Sequence, residues 1–129
     1  MLFRSISSNS ITAILEGENG ELWIGTGGGG VNLFDPSTRT FKHFSNEPGN
    51  DQSLSDNDIR FLAQEDKENI WVATDGGGIN LLNIPTGHFK RYNIYPDDPQ
   101  QLQVYNTWTL FKDSKGDLWV GTEIGRAHV

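Results

Sequence analysis

Apolar residues in this chain come in short runs, and each run is closed by residues that favour turns. In the first third the runs are ITAILE, ELWIGT, VNLFD and TFKHF, parted by Gly17 to Gly20, Gly27 to Gly30 and Asp35-Pro36-Ser37. They are rich in Ile, Val, Phe, Trp and Thr, side chains that suit a pleated, half-buried surface, and Gly, Asn, Asp and Pro lie between them. No window sustains an i, i+3, i+4, i+7 stripe with helix caps, so the pattern predicts strands rather than helices. Tight turns join the first three runs, which makes antiparallel neighbours and a four-stranded meander the expected unit.

The same pattern returns 48 residues later without a gap. Ser5, Ser7, Asn9 and Ile11 fall on Ser53, Ser55, Asn57 and Ile59, and WIGTGGGG at 23 to 30 falls on WVATDGGG at 71 to 78. Asn32, Leu33, Thr38, Phe41, Lys42 and Pro48 fall on Asn80, Leu81, Thr86, Phe89, Lys90 and Pro96, and WVGT opens a third copy at residue 119. A period of this size marks a stacked repeat architecture. The runs are also apolar on both sides: Ile14 lies opposite Ala13 and Leu15, and Trp23 opposite Leu22 and Ile24. A sheet apolar on both faces must be covered on both, which stacking like sheets around an axis achieves. The expected fold is therefore all-β, a β-propeller fragment of about two and a half four-stranded antiparallel blades.

GELWIGT at 20 to 26 and GDLWVGT at 116 to 122, each preceded by an apolar strand, resemble the two-component regulator propeller repeat, as do Gly-Gly-Gly-Val/Ile-Asn-Leu and the Phe-Lys-x-Phe/Tyr that follow. The repeat is similar to those of the sensor domains of hybrid two-component histidine kinases found mainly in Bacteroidetes gut bacteria. In that family an Asp usually sits six residues before the Trp; Asp113 fits, Gly17 and Glu65 depart, and Glu68 replaces the turn glycine. The resemblance implies a periplasmic, glycan-sensing propeller on an inner-membrane sensor kinase, dimeric as a whole. It also implies that the remaining propeller blades of the parent partner this segment and that the kinase catalytic domains lie elsewhere. The expected divisions are residues 1–4, the end of a preceding blade or a truncated start; 5–52 and 53–100, complete repeats; 101–122, the first half of a third; and 123–129, a tail. A propeller lyase of the streptogramin type and a protein-interaction propeller are the alternatives.

Composition narrows the chemistry. A formal charge of -7 without a basic cluster disfavours nucleic acid and anionic membrane surfaces. Cysteine is absent, which excludes disulfides and thiolate chemistry, and the three histidines show no ligand spacing, so neither metal nor cofactor is expected. No Ser, His and Asp set resembles an activated nucleophile, and no catalysis is expected in this segment. The glycine run is followed by Val31-Asn32-Leu33, a strand, where a phosphate-binding loop would need Lys-Ser or Lys-Thr and a helix. Its glycines are expected to supply positive φ in a hairpin, with Thr26 and Thr74 bonding the turn backbone.

Trp23, Trp71 and Trp119 are expected to pack between blades, with Leu118 and Trp119 poorly covered on the half-blade. Residues that do not repeat are the better ligand candidates, because the repeated ones build the scaffold. With the first strand innermost, Asn57, Asp58, Asp75, Tyr105, Asn106 and Trp108 gather near the axial mouth and are the candidates for an oligosaccharide site. The tail EIGRAHV departs from the repeat and can be back-translated to GAG ATC GGA AGA GCA CAC GTC, which contains the start of a common sequencing adapter. Residues 123–129 are accordingly expected to be a non-native tail without biological meaning.

Overall fold

The computed structural model describes residues 2–3, 5–92, 107–122 and 125–128, with side chains over 5–92 and 109–121. Among these residues all regular structure is strand. The first sheet contains β1 (Leu2–Phe3), β2 (Ile11–Glu16), β3 (Leu22–Thr26), β4 (Val31–Asp35) and β5 (Thr40–Phe44), in the order β1-β5-β4-β3-β2. The second runs β6 (Ile59–Gln64), β7 (Asn69–Thr74), β8 (Ile79–Asn83) and β9 (His88–Tyr92) in chain order. The third is β10 (Thr107–Lys112), β11 (Leu118–Thr122) and β12 (Gly125–His128). Every pairing is antiparallel, and the repeat keeps its register: Trp23 lies opposite Leu33 as Trp71 lies opposite Leu81.

The sheets stack with their first strands against one another, β2 on β6 and β6 on β10, so the first strand of each sheet is the innermost. Two cores result. Trp23, Val31 and Phe44 of the first sheet meet Ile59, Leu62, Ile70, Val72, Leu82 and Phe89 of the second. Trp71, Ala73 and Ile79, on the other face of the second sheet, meet Leu110, Leu118 and Val120 of the third. The period-2 alternation of strands thus gives each sheet one face for each neighbour. This is the stacking of propeller blades, with an apolar strand on both sides as the sequence pattern requires.

One expectation needs adjusting. Leu118 is buried, because its side of β11 faces the second sheet; Trp119, on the opposite side, is 41% exposed. Residues 2–3 pair with the outer strand β5, Leu2 opposite Lys42 and Phe3 opposite Phe41. Residues 125–128 pair along β11. A bare strand edge offers backbone donors and acceptors that an extended segment of almost any sequence can satisfy.

The tryptophans repeat their packing but not their polar partners. Trp23 is 1% exposed beside Phe44, with ring centroids 5.8 Å apart, and Trp71 is 7% exposed beside Tyr92 at 5.3 Å. In the second and third repeats a carboxylate six residues before the tryptophan accepts from its indole N–H. Asp113 Oδ2 accepts from Trp119 at 2.9 Å and Glu65 Oε2 accepts from Trp71 at 2.5 Å. At the matching place the first repeat has Gly17, and the buried Nε1 of Trp23 has no hydrogen-bond partner. The longer Glu65 also ties two sheets together, since Lys112 reaches its Oε1 at 3.1 Å and its carbonyl at 2.7 Å.

Candidate functional site: the end of the sheets that carries the glycine turns

Both glycine turns are held by one repeated clasp. Thr26 donates its hydroxyl to the Gly30 carbonyl at 2.8 Å and accepts from the Gly29 N–H at 3.0 Å; Thr74, Gly78 and Gly77 do the same at 2.8 and 3.1 Å. Buried Asn32 accepts from the Ser7 N–H and donates to the Ser7 hydroxyl, which in turn donates to the Gly29 carbonyl; Asn80, Ser55 and Gly77 repeat the set. Gly28 and Gly30, at φ 92° and 78°, occupy the left-handed region where a side chain is strained. Gly29 is needed for space instead, because a Cβ there would stand 2.7 Å from the Ser7 hydroxyl. These residues recur for structural reasons, which leaves chemistry to the positions that vary.

The connection between sheets threads this end. The Asn57 carbonyl accepts from the Gly30 N–H at 2.8 Å, and its side-chain oxygen accepts from the Asn46 N–H at 2.7 Å. Asp58 bridges to Gly27 on one side and accepts from the Asp75 N–H at 2.9 Å on the other. Two candidates are thus drawn into stitching one sheet to the next. Asp75 is different: its carboxylate pairs with the Arg60 guanidinium at 2.5 Å, and both side chains remain about a third exposed. Asn57 and Asp58 lie on the connection that Asp75 bonds, whereas Tyr105 and Asn106 lie outside the described residues. Trp108 belongs to β10, and its side chain is also outside them.

Arg60 is the residue that sequence reasoning passed over. Its signal is a register shift that recurs in all three sheets, between Ile11 and Ala13, between Ile59 and Phe61, and between Thr107 and Thr109. The residues at these shifts are Thr12, Arg60 and Trp108. A bulge releases one residue from the ladder and re-aims it, so each innermost strand frees a position at which the three repeats differ. Thr12 uses its freedom to donate to the Ile59 carbonyl at 2.5 Å, across to the next sheet.

Two polar groups of the outer strands have structural partners. The His43 ring bonds the Ser5 carbonyl at 2.9 Å, and at the matching register Arg91 donates to the Ser53 carbonyl at 3.0 Å. Among the described residues no group of three or more His, Cys, Asp or Glu could hold a metal ion. No helix among them is long and apolar enough to cross a membrane. A separate hollow of about 650 Å3 lies on the outer side of the second sheet, between Asp51 and Gln52 and the strand β9, away from Arg60 and Asp75.

Residues 5–28 and 101–123 match the family described as two component regulator propeller. The middle repeat, with Glu68 where the others have Gly20 and Gly116, lies outside the matched segments. No curated protein matches the chain. Among solved structures, the extracellular domain of BT3049 from B. thetaiotaomicron, assigned to a hybrid two component system, is 29% identical with a TM-score of 0.76, over 88% of this chain and 16% of that one. The corresponding domain of BT4673 from the same organism is 29% identical with a TM-score of 0.74, over 94% of this chain and 16% of that one. PorZ, a surface component of the type-IX secretion system of Porphyromonas gingivalis, shares the fold at 21% identity and a TM-score of 0.68, over 92% of this chain and 17% of its own. The chain therefore spans about a sixth of the length of the structures it resembles.

Proposed function

We propose that this chain, with two component regulator propeller repeats matched near both ends, is part of the ligand-sensing propeller of a hybrid two component system. Fold alone does not assign a function, since the same arrangement occurs in a secretion component. The reading is supported by the match of repeat sequence combined with 29% identity to two extracellular domains of that class. On this reading the segment lies in the periplasm and binds rather than catalyses, and the change it registers is carried to a kinase and its receiver encoded elsewhere in the parent.

The ligand is a glycan-derived oligosaccharide held at the glycine-turn end. Carrying this assignment is the Arg60–Asp75 pair, a partly exposed guanidinium and carboxylate fixed against each other beside the inner-strand bulge. Paired charged groups of this kind can donate to and accept from adjacent sugar hydroxyls, and aromatic faces stack on the apolar face of a pyranose. Asp58, Asp75 and Arg60 supply the polar contacts, with Tyr105, Asn106 and Trp108 as the varying residues of the next repeat. Asn57 contributes by holding the connection in place, since its two oxygens already accept backbone N–H groups.

Calorimetric titration of the parent extracellular domain with a panel of host and plant oligosaccharides tests the proposal. One class is expected to bind, and Asp75→Ala and Trp108→Ala are each expected to weaken it at least tenfold while leaving the melting temperature nearly unchanged. Absence of binding across the panel, or binding that both substitutions leave intact, would overturn it.

A further inference from the structure

The turn between β2 and β3 differs in chemistry from its two counterparts. It reads Gly17-Glu18-Asn19-Gly20, where the second repeat has Glu65-Asp66-Lys67-Glu68 and the third has Asp113-Ser114-Lys115-Gly116. The first and third turns are built alike. The Gly17 N–H donates to the Glu21 carbonyl at 2.8 Å and the Gly20 N–H to the Gly17 carbonyl at 3.3 Å; the Asp113 and Gly116 N–H groups repeat these bonds, to Asp117 and Asp113, at 2.9 and 3.0 Å. Gly20 and Gly116 both occupy the left-handed region, at φ 81° and 87°. Of the three turns, the first alone puts a carboxamide immediately before a glycine.

An asparagine carboxamide carbon lies one ring-closing bond away from the backbone nitrogen of the next residue, so attack by that nitrogen is intramolecular and favoured by proximity. A side chain on the attacking residue opposes it, as do hydrogen bonds that hold either group. Neither obstacle is strong at this turn. Gly20 has no side chain, and nothing lies within 4 Å of the place where a Cβ would stand. Its N–H bond, at 3.3 Å, is longer than the usual span of about 2.7–3.2 Å. Both residues are exposed, and among the described residues nothing holds the Asn19 carboxamide; the Glu21 carboxylate accepts only from the Asn19 backbone N–H, at 3.0 Å. Other asparagines are tied down, Asn32 and Asn80 by serines, Asn46 by the Leu54 carbonyl and Asn50 by the Glu47 carboxylate. Asn9 is exposed as well, but the nitrogen that would attack it belongs to Ser10, which carries a side chain and donates to the Ser8 hydroxyl.

We propose that Asn19-Gly20 is a site of spontaneous modification in the folded protein, where the turn converts through a succinimide to aspartate and isoaspartate. The Gly20 nitrogen, having lost its proton to solvent base, attacks Asn19 Cγ. The new C–N bond forms as the Cγ–Nδ2 bond breaks, and ammonia leaves with a proton taken from solvent. Water then opens the ring: attack at Cγ restores the ordinary backbone as aspartate, and attack at the Asn19 carbonyl carbon leaves the backbone running through Cγ as isoaspartate. Water is the one reactant consumed and ammonia the one product released. Either outcome places a further carboxylate beside Glu18 and Glu21, and isoaspartate also adds a methylene to the backbone of a turn closed by the Glu16–Leu22 pair.

Incubation of the folded protein in mildly alkaline heavy-oxygen water tests this, followed by peptide mapping in ordinary water and by enzymatic methylation of isoaspartate. Label and isoaspartate are expected at position 19 an order of magnitude faster than at any other asparagine, and faster as pH rises, because the attacking nitrogen must lose its proton. Asn19→Lys serves as the control, since it gives the first turn the Lys-Gly order that the third turn already carries on the same backbone. It is expected to fold and to abolish the signal. An Asn19 that stays intact while other asparagines convert, conversion that needs denaturant, or an isoaspartate signal that survives in Asn19→Lys would each overturn the proposal.

Discussion

A single missing carboxylate separates the first repeat from the others. The Trp23 indole N–H is buried without a partner where Trp71 has Glu65 and Trp119 has Asp113. An unmade buried hydrogen bond costs about 1–3 kcal/mol. Gly17→Asp is therefore expected to raise stability by about 1 kcal/mol, once the Glu21 side chain gives up its bond to the Asn19 N–H and swings out of the space that the new group needs. Thermal denaturation and the indole proton resonance of Trp23 would report it; an unchanged midpoint with an unchanged resonance would mean that the carboxylate does not reach the ring. The reverse change, Glu65→Ala, orphans Trp71 Nε1 and removes the partner of Lys112, and it should lower stability by about 1–3 kcal/mol. A second residue-scale mismatch is Arg39, whose φ of 57° matches the 73° of Gly87 one repeat on. Relieving a left-handed non-glycine residue favours Arg39→Gly by about 1 kcal/mol, less the entropy that glycine adds to the unfolded chain.

At the scale of the element, turns and strands differ in how legible they were. Strand positions followed from alternation, and the glycine turn from its own chemistry, because Gly28, Gly30 and Thr26 are types with few other uses in that order. The bulges did not show: a register shift at Thr12, Arg60 or Trp108 leaves no residue-type signature, only a position where the repeats disagree. Nor did β12 show, because its pairing is made by backbone. The site was half legible. Asn57 and Asp58 lie on the connection that Asp75 bonds, yet the hydrogen bonds that occupy Asn57 depend on Asn46 and Gly30, which no spacing rule connects. The turns also carry a pH dependence. Asp66 is held below the usual carboxylate range by the Glu68 N–H and then the Asn69 side chain, and Asp35 by the hydroxyl and N–H of Ser37. With the folded-state pKa depressed, their contribution is full above the ordinary value near 3.8 and is lost as pH falls through the lower one. Asp66→Asn and Asp35→Asn should each flatten the acid limb of the stability curve below about pH 4 and leave the alkaline side alone. An acid limb with the same slope in both variants would contradict this.

Among the described residues, the middle sheet is the one covered on both sides. Its second strand β7 is buried along almost its entire length, whereas β2 exposes every second residue. Amide exchange is expected to be slowest in β7 and much faster in β2, with the third sheet between them, because local opening follows the apolar cover that must be given up. Equal protection in the three sheets would show that the ends are covered in solution. The recurring bulge has a consequence for how such a molecule can change over time. One position per repeat is uncoupled from the ladder, and it already holds Thr, Arg and Trp while the cross-strand residues beside the shift, Thr26, Thr74 and Thr122, are the same in all three. Stability and recognition are therefore written on separate letters of the repeat: a lineage could rewrite the rim of the axis one residue per blade and carry every intermediate form as a folded protein.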